Sequence, residues 1–235
     1  MIYDLDTNNP TIYKHSNVTG RLSVEKGINY LTMKKDERNK LLSPFKDNKI
    51  FEIDFKSCEP TLYMRHFNLV DDSVEDIYTY IANCIDISVA DRPKLKRIIL
   101  SILYGANERS VSKYSNISIK KIKKIKSILN VVEFESILRK EYNDKGFIEN
   151  LYGRPILSDS NLVNYWIQSS AVDYCCLSFY NFFKENKNFK LHAVIHDAAL
   201  FSVHVDNIDK LDDINYLKYK NLSIPVKINP IESDI

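Results

Sequence analysis

The chain has 235 residues, 44% of them hydrophobic, enough to bury one large core or a domain with a substantial inserted lobe, and this excludes global disorder. Thirty-three basic against thirty-one acidic residues give a formal charge of +2, so any polyanion site must come from local clustering. The opening MIYDLDTNNP has no basic stretch followed by an apolar one, and no apolar run reaches the roughly eighteen residues of a membrane span, which argues against secretion and against membrane insertion.

Residues 1–18 are polar and read as irregular. The segment 49–55 (KIFEIDF) alternates apolar and polar side chains as a half-buried strand does, ending on Asp54 and Phe55. Pro60 suits the first turn of a following helix, predicted to run to about residue 67, because its missing N–H costs nothing there. Asp91 is placed to cap a helix with Pro93 in its first turn, with Leu95, Ile98, Ile99, Ile102 and Leu103 on one face and Gly105 just past the end. A second amphipathic helix is predicted from 118 to about 138, and a third from 162 to about 183. The period then changes: 191–195 and 198–203 are short apolar runs flanking His196 and Asp197, a hairpin with an acid at its tip, and NLSIPVKINP reads as one more strand. There are no repeats or low-complexity tracts, and the order of elements predicts an α+β fold with its chemistry on strands and turns.

The cysteines Cys58, Cys84, Cys175 and Cys176 form no CxxC pair, so reduced thiols in a cytoplasmic protein are expected, without a structural zinc. His15, His66, His192 and His204 show no ligand spacing. Glycine is scarce, and three of the five glycines, Gly20, Gly105 and Gly153, fall inside the motifs described next.

Asp54 and Asp197, far apart in sequence, each end a predicted strand, and they meet if those strands are neighbours. Phosphoryl transfer uses such a pair to hold two divalent ions, although ordinary strand-end acids satisfy the same pattern. Positions 92, 96, 100 and 104 recur every four residues and form a stripe on a helix, with Arg92 and Lys96 one turn apart. That suits a triphosphate, or equally a solvated basic edge. The lysines at 120, 121, 123, 124 and 126 read as a solvated helix face, with tracking of a phosphate backbone as the alternative.

Six fragments, in order, resemble family A DNA polymerases of the bacterial polymerase I type. Thr19-Gly20-Arg21-Leu22-Ser23 is similar to the segment before the palm; Asp54-Phe55-Lys56-Ser57-Cys58-Glu59 resembles motif A; Arg92, Lys96, Tyr104 and Gly105 reproduce the spacing of motif B. Asn164, Gln168, Ala171 and Asp173 resemble the N-x-x-x-Q-G-x-x-A-D segment, with Ser169 in place of its glycine; Val194-Ile195-His196-Asp197 resembles motif C, and Leu222-Ser223-Ile224-Pro225-Val226 the terminal palm strand. The resemblance implies a polymerase palm, an antiparallel sheet with helices on one face, carrying inserted helical fingers. The implied divisions are 1–70 for the first part of the palm, 71–150 for the fingers and 151–235 for the rest of the palm.

It implies templated DNA synthesis, with two Mg²⁺ ions, replaceable by Mn²⁺, held by Asp54, Asp197 and the backbone carbonyl of Phe55. Arg92, Lys96, Leu100, Tyr104 and Glu59 would bind the incoming dNTP, Glu59 excluding a ribose 2′-hydroxyl. Thr19, Arg21, Arg154, Asn164, Gln168 and His196 would touch primer–template DNA, gripping a paired duplex without reading its sequence. Only eighteen residues precede the TGRLS segment, so no thumb or exonuclease domain is expected, and a separate partner supplying thumb or clamp function is expected to restore processivity. Two departures from the family pattern stand out: Ala198 follows Asp197 where a glutamate is usual, and Leu100 replaces an aromatic residue. They motivate a second reading, a lapsed polymerase that binds primer–template or a replication partner as a scaffold, and template-independent nucleotide addition is a third. Restoring the ring with Leu100→Phe is expected to lower the nucleotide KM in steady-state primer extension.

Overall fold

The computed structural model describes residues 11–16, 18–34, 36–38 and 47–231. The chain divides into two compact units, one formed by the segments up to Lys56 and from Val172 onwards, the other by Ser57–Ala171.

In the first unit, β1 (Ile12–Ser16) and β2 (Arg21–Lys26) pair antiparallel, with Ser16 opposite Arg21 across the turn. This corrects the reading of 1–18 as irregular at Ile12–Ser16, residues 1–10 and 17 lying outside the described residues: IYKHS carries no clean alternation, and its strand is fixed by the backbone ladder to β2. Gly20, at φ 70°, makes the turn, and the His15 ring is hydrogen-bonded through Nδ1 to its carbonyl at 2.7 Å.

The main sheet joins β3 (Asn48–Phe55), β6 (Phe189–Ile195), β7 (Ala198–His204), β8 (Tyr216–Tyr219) and β9 (Leu222–Pro230) in the spatial order β6-β7-β3-β9-β8, every pair antiparallel. Strand β8 is absent from the sequence reading; it is four residues long, too short to show a period. The alternation in β3 decides what each face does. Phe51 and Phe55 share one face, where Phe55 meets the rings of Tyr174 and Phe179 at 5.5 and 5.2 Å and Phe51 lies 5.9 Å from Phe201. Ile50 points the other way, into a small cluster with Tyr30, Ala193, Ile195 and Leu200. The Tyr13 hydroxyl, accepting from the backbone N–H of Val194 at 3.1 Å, ties the β1–β2 hairpin to edge strand β6.

The second unit is mainly helical: α1 (Cys58–His66), α2 (Ile77–Cys84), α3 (Arg92–Leu103), α4 (Glu108–Ser115), α5 (Ile119–Ile128) and α6 (Val131–Lys145), then the short pair β4 (Ile148–Glu149) and β5 (Pro155–Ile156). Helix α7 (Leu162–Glu185) follows, starting where expected. Asp91 occupies the N-cap position of α3 without a side-chain capping bond, and the predicted apolar face is buried. Gly105, at φ 84°, ends the helix: its N–H reaches the Ile102 carbonyl at 3.0 Å and Ala106 N–H the Ser101 carbonyl at 2.8 Å, the paired closure of a Schellman turn.

The single helix predicted over 118–138 is two. Asn130 adopts φ 49° between α5 and α6, a conformation Asn tolerates better than most residues. The buried positions Ile122, Ile125 and Leu129, then Val131, Phe134 and Leu138, each step by three and four, but 129 to 131 steps by two and breaks the helical phase. Among the described residues no helix is long and apolar enough to cross a membrane, and none of the four cysteines is in a disulfide.

An aromatic cluster of Tyr63, His66, Phe67, Phe134 and Trp166 closes this unit's core, the His66 ring 5.5 Å from that of Trp166. Burial holds the His66 imidazole below its ordinary 6.5. As pH falls, the unfolded chain takes up that proton first, so the stability contributed by the neutral ring is present above about pH 6.5 and lost below it. His66→Phe is expected to flatten the fall of the thermal unfolding midpoint between about pH 7 and about pH 5, as read by circular dichroism.

Candidate functional site

In the first unit, the register of β3 on β7 brings the backbones of the two predicted acids within one residue of each other. Asp54 stands opposite Ala198, one residue from Asp197, and the Phe55 N–H donates to the Asp197 carbonyl at 3.1 Å. Asp197 belongs to a two-residue turn closing β6 onto β7, with Ile195 opposite Ala198; His196 in that turn sits at φ 56°, as tight hairpins require of their first turn residue. Asp54 is half-buried, and His196 and Asp197 are exposed at the tip.

Since side chains alternate, Asp54 shares its sheet face with Ala198 on one neighbouring strand and Lys227 of β9 on the other, the two residues registered opposite it. Glu52, two residues back on the same face, is paired with the buried Arg38. Lys227 went unnoticed in the sequence because only the β3–β9 register brings it to Asp54. Among the described residues no group of three or more His, Cys, Asp or Glu could hold a metal by itself. Asp54 and Asp197 are hard carboxylates, the donor type that Mg²⁺ takes, and that ion needs few protein ligands because water and phosphate complete its shell. Thr19, a buried turn residue, and Arg21 lie in the separate β1–β2 sheet.

In the second unit, Glu59 is the second residue of α1, and the Tyr104 hydroxyl donates to its Oε2. Tyr104 is the C-cap of α3, one step before Gly105, so the Schellman turn fixes where its ring leaves the helix. Along the stripe, Arg92 and Lys96 are exposed, while Leu100 and Tyr104 are half-buried. Arg92 is engaged from two sides. Its Nε and Nη2 donate to the Asp76 carboxylate at 2.7 and 3.4 Å, and its guanidinium carbon lies 5.1 Å from the centroid of the Tyr78 ring.

Burial alone would raise the Asp76 carboxyl, but the bonds from Arg92, Thr79 and the Tyr78 N–H outweigh it and hold the group below the usual carboxylate range. Burial pushes the Tyr78 phenol up to about 12, against a hydrogen bond with Ser57 and the charge of Arg92, so it stays neutral. Asp76, Tyr78 and Ser57 were missed in the sequence. Asp76 as an N-cap had a signal, a short acid immediately before an apolar helix, but nothing local ties it to Arg92 sixteen residues on.

The predicted duplex-contacting residues of this unit lie on the turn at Arg154 and on α7. Asn150, buried, accepts from the N–H groups of Tyr152 and Arg154, both at 2.9 Å, and donates to Ser169 Oγ at 2.9 Å; Leu151 N–H donates to Ser170 Oγ at 3.1 Å. Ser169, where the family pattern has glycine, thus uses its hydroxyl to anchor the Arg154 turn to α7. Gln168 donates to Asn164 at 2.7 Å, one helical turn apart, and Asn164 lines a cleft of about 160 Å³ together with Tyr104 and Gly105. The structure therefore brings Tyr104 together with Glu59 and Asn164, and Asn164 with Gln168.

No protein-family model matches the chain, and no curated protein matches it in sequence. Among solved structures it is similar to the POL domain of Pol1 from M. smegmatis, solved in complex with DNA primer-template and dNTP, with a TM-score of 0.72 at 14% identity. The match covers 94% of this chain and 47% of that one, so the chain spans about half the length of its neighbour. The similarity gives the fold, a mixed α+β architecture resembling a polymerase domain.

Asn150→Ala leaves two backbone N–H groups of the Arg154 turn without their acceptor. It is expected to destabilise the protein by about 2–3 kcal/mol in urea unfolding.

Proposed function

We propose that this chain is a polymerase-like nucleotidyltransferase of the family A type, joining deoxynucleotides to the 3′ end of a primer on a DNA template. The observation that carries the reading is the β3–β7 register, which sets Asp54 and Asp197 at one corner of an antiparallel sheet in a chain with the fold of a polymerase domain. The order of the six sequence fragments supports the family assignment, with 1–70 and 151–235 read as palm and 71–150 as fingers.

The reaction is displacement at phosphorus: the primer 3′-hydroxyl oxygen bonds the α-phosphorus of a dNTP, its proton passes to solvent water, and the bond to pyrophosphate breaks, releasing pyrophosphate. Asp54, Asp197 and the Phe55 carbonyl would hold two Mg²⁺ ions, which when bound lower the pKa of the attacking hydroxyl and offset charge on the leaving oxygen. Asp54 and Asp197 themselves fix where the reacting oxygens are gathered, since one lies on a strand held on both sides and the other in a turn closed by the Phe55 N–H bond. Arg92 and Lys96 take the outer phosphates as charge-assisted donors. Glu59, braced by the Tyr104 hydroxyl, sets a polar wall against a ribose 2′-hydroxyl, which favours DNA over RNA synthesis. Arg154, Asn164 and Gln168, with Thr19, Arg21 and His196, contact the primer–template. A separate protein that clamps the duplex belongs to this reading, as the source of processivity.

Primer extension with Mg²⁺ tests it. Wild type is expected to extend a primer in a template-dependent order, and Asp54→Ala and Asp197→Ala are each expected to reduce the rate by at least about a thousandfold while binding primer–template as tightly as wild type. Absence of extension by wild type, with duplex binding retained, overturns the enzymatic reading in favour of a scaffold.

A further inference from the structure

Arg92 does not wait for a ligand as a loose surface arginine. Asp76 caps α2, accepting from the Tyr78 N–H at 3.1 Å and the Thr79 hydroxyl at 2.9 Å, and with the same carboxylate takes the Nε and Nη2 edge of Arg92. The Tyr78 ring lies against the guanidinium at 5.1 Å. One edge and one face of a rigid planar fork are thereby fixed, while the side chain remains 45% exposed. A guanidinium has five N–H donors, and a side-on carboxylate pair uses two, leaving the Nη1 end directed elsewhere.

We infer that Asp76 is a positioning residue for Arg92, holding its guanidinium by the Nε–Nη2 edge so that the Nη1 end meets the phosphates of a nucleoside triphosphate. This rests on the nucleotide-binding reading of Arg92 given above. Two physical points favour it over a latch that a phosphate must break. First, the Nη1 end is clear of Asp76, so phosphate has no need to strip the pair. Second, the Asp76 charge is answered by the α2 N-terminus, by Thr79 and by Arg92 itself, which limits its repulsion of an approaching anion. The ion pair cancels its own charge, so what Arg92 supplies is prepaid orientation, and Lys96, exposed and without an acidic partner among the described residues, supplies the uncompensated positive charge.

The test is calorimetric titration of sodium tripolyphosphate into the purified full chain, for wild type, Asp76→Asn, Arg92→Ala and the double variant. Asparagine keeps an oxygen for the α2 cap but cannot fork the guanidinium. Asp76→Asn is expected to weaken tripolyphosphate binding about fivefold, and to add nothing in the Arg92→Ala background, where there is no guanidinium to hold. Asp76→Ser, which also caps a helix, is expected to give the same pattern and guards against misfolding of the first variant. Unchanged or tighter binding by both Asp76 variants, or an equal loss with and without Arg92, overturns the inference. Wild type that binds tripolyphosphate with affinity untouched by Asp76→Asn sinks the positioning role alone. Wild type that binds no tripolyphosphate sinks it together with the nucleotide-binding reading.

Discussion

Everything at the acidic corner depends on one backbone alignment, the antiparallel register of β3 against β7. Side chains along a strand alternate with a period of two, so a slip by one residue would turn Asp54 toward the helix-covered face and bring Phe55 out. What prevents the slip is packing: Phe51 against Phe201, and Phe55 between Tyr174 and Phe179, fill one face, while Ile50 and Leu200 fill part of the other. The hydrophobic pattern therefore sets the chemistry. The hydrogen bond from Phe55 to the Asp197 carbonyl then seats the hairpin tip beside the strand end.

The helical unit solves a different problem, presenting long polar side chains in defined directions. It does so with charged and phenolic groups that hold one another: Asp76 and Tyr78 hold Arg92, and Tyr104 holds Glu59. Each anchor is itself tied to a helix terminus, Asp76 as the N-cap of α2 and Tyr104 as the C-cap of α3. Helix ends are where backbone groups lack partners, so the bond from the Tyr78 N–H that the α2 terminus needs also orders the Asp76 side chain. Asn150 plays the same part in the turn that carries Arg154.

Local periodicity made much of this legible in the sequence. The strand ending in Asp54, the cap, proline and glycine around α3, and the hairpin at Asp197 all follow from patterns within a dozen residues. Register is not local, and so Lys227 and Ala198 flanking Asp54 were invisible, as was the tie between Asp76 and Arg92. The strand at IYKHS lacks alternation because it is fixed by pairing rather than by burial. The break at Asn130 was present in the sequence as a phase slip between Leu129 and Val131, masked by the lysines, leucines and glutamates around it, which favour helix. The buried Asn150 gave no sign, since an asparagine beside a glycine-containing turn reads as solvent-exposed turn chemistry.

The company that Asp54 keeps has an electrostatic corollary. With Ala198 on one side and Lys227 on the other, the corner formed by Asp54, Asp197 and Lys227 carries two formal negative charges and one positive, a net charge of −1. Two dications placed there would leave +3, a surplus that only an anion can balance. For this corner, occupancy by metal and by a polyphosphate would be thermodynamically linked, each raising the affinity for the other by the same factor. Under the proposed reading, such a corner would fill cooperatively with metal and polyanion and empty when either departs.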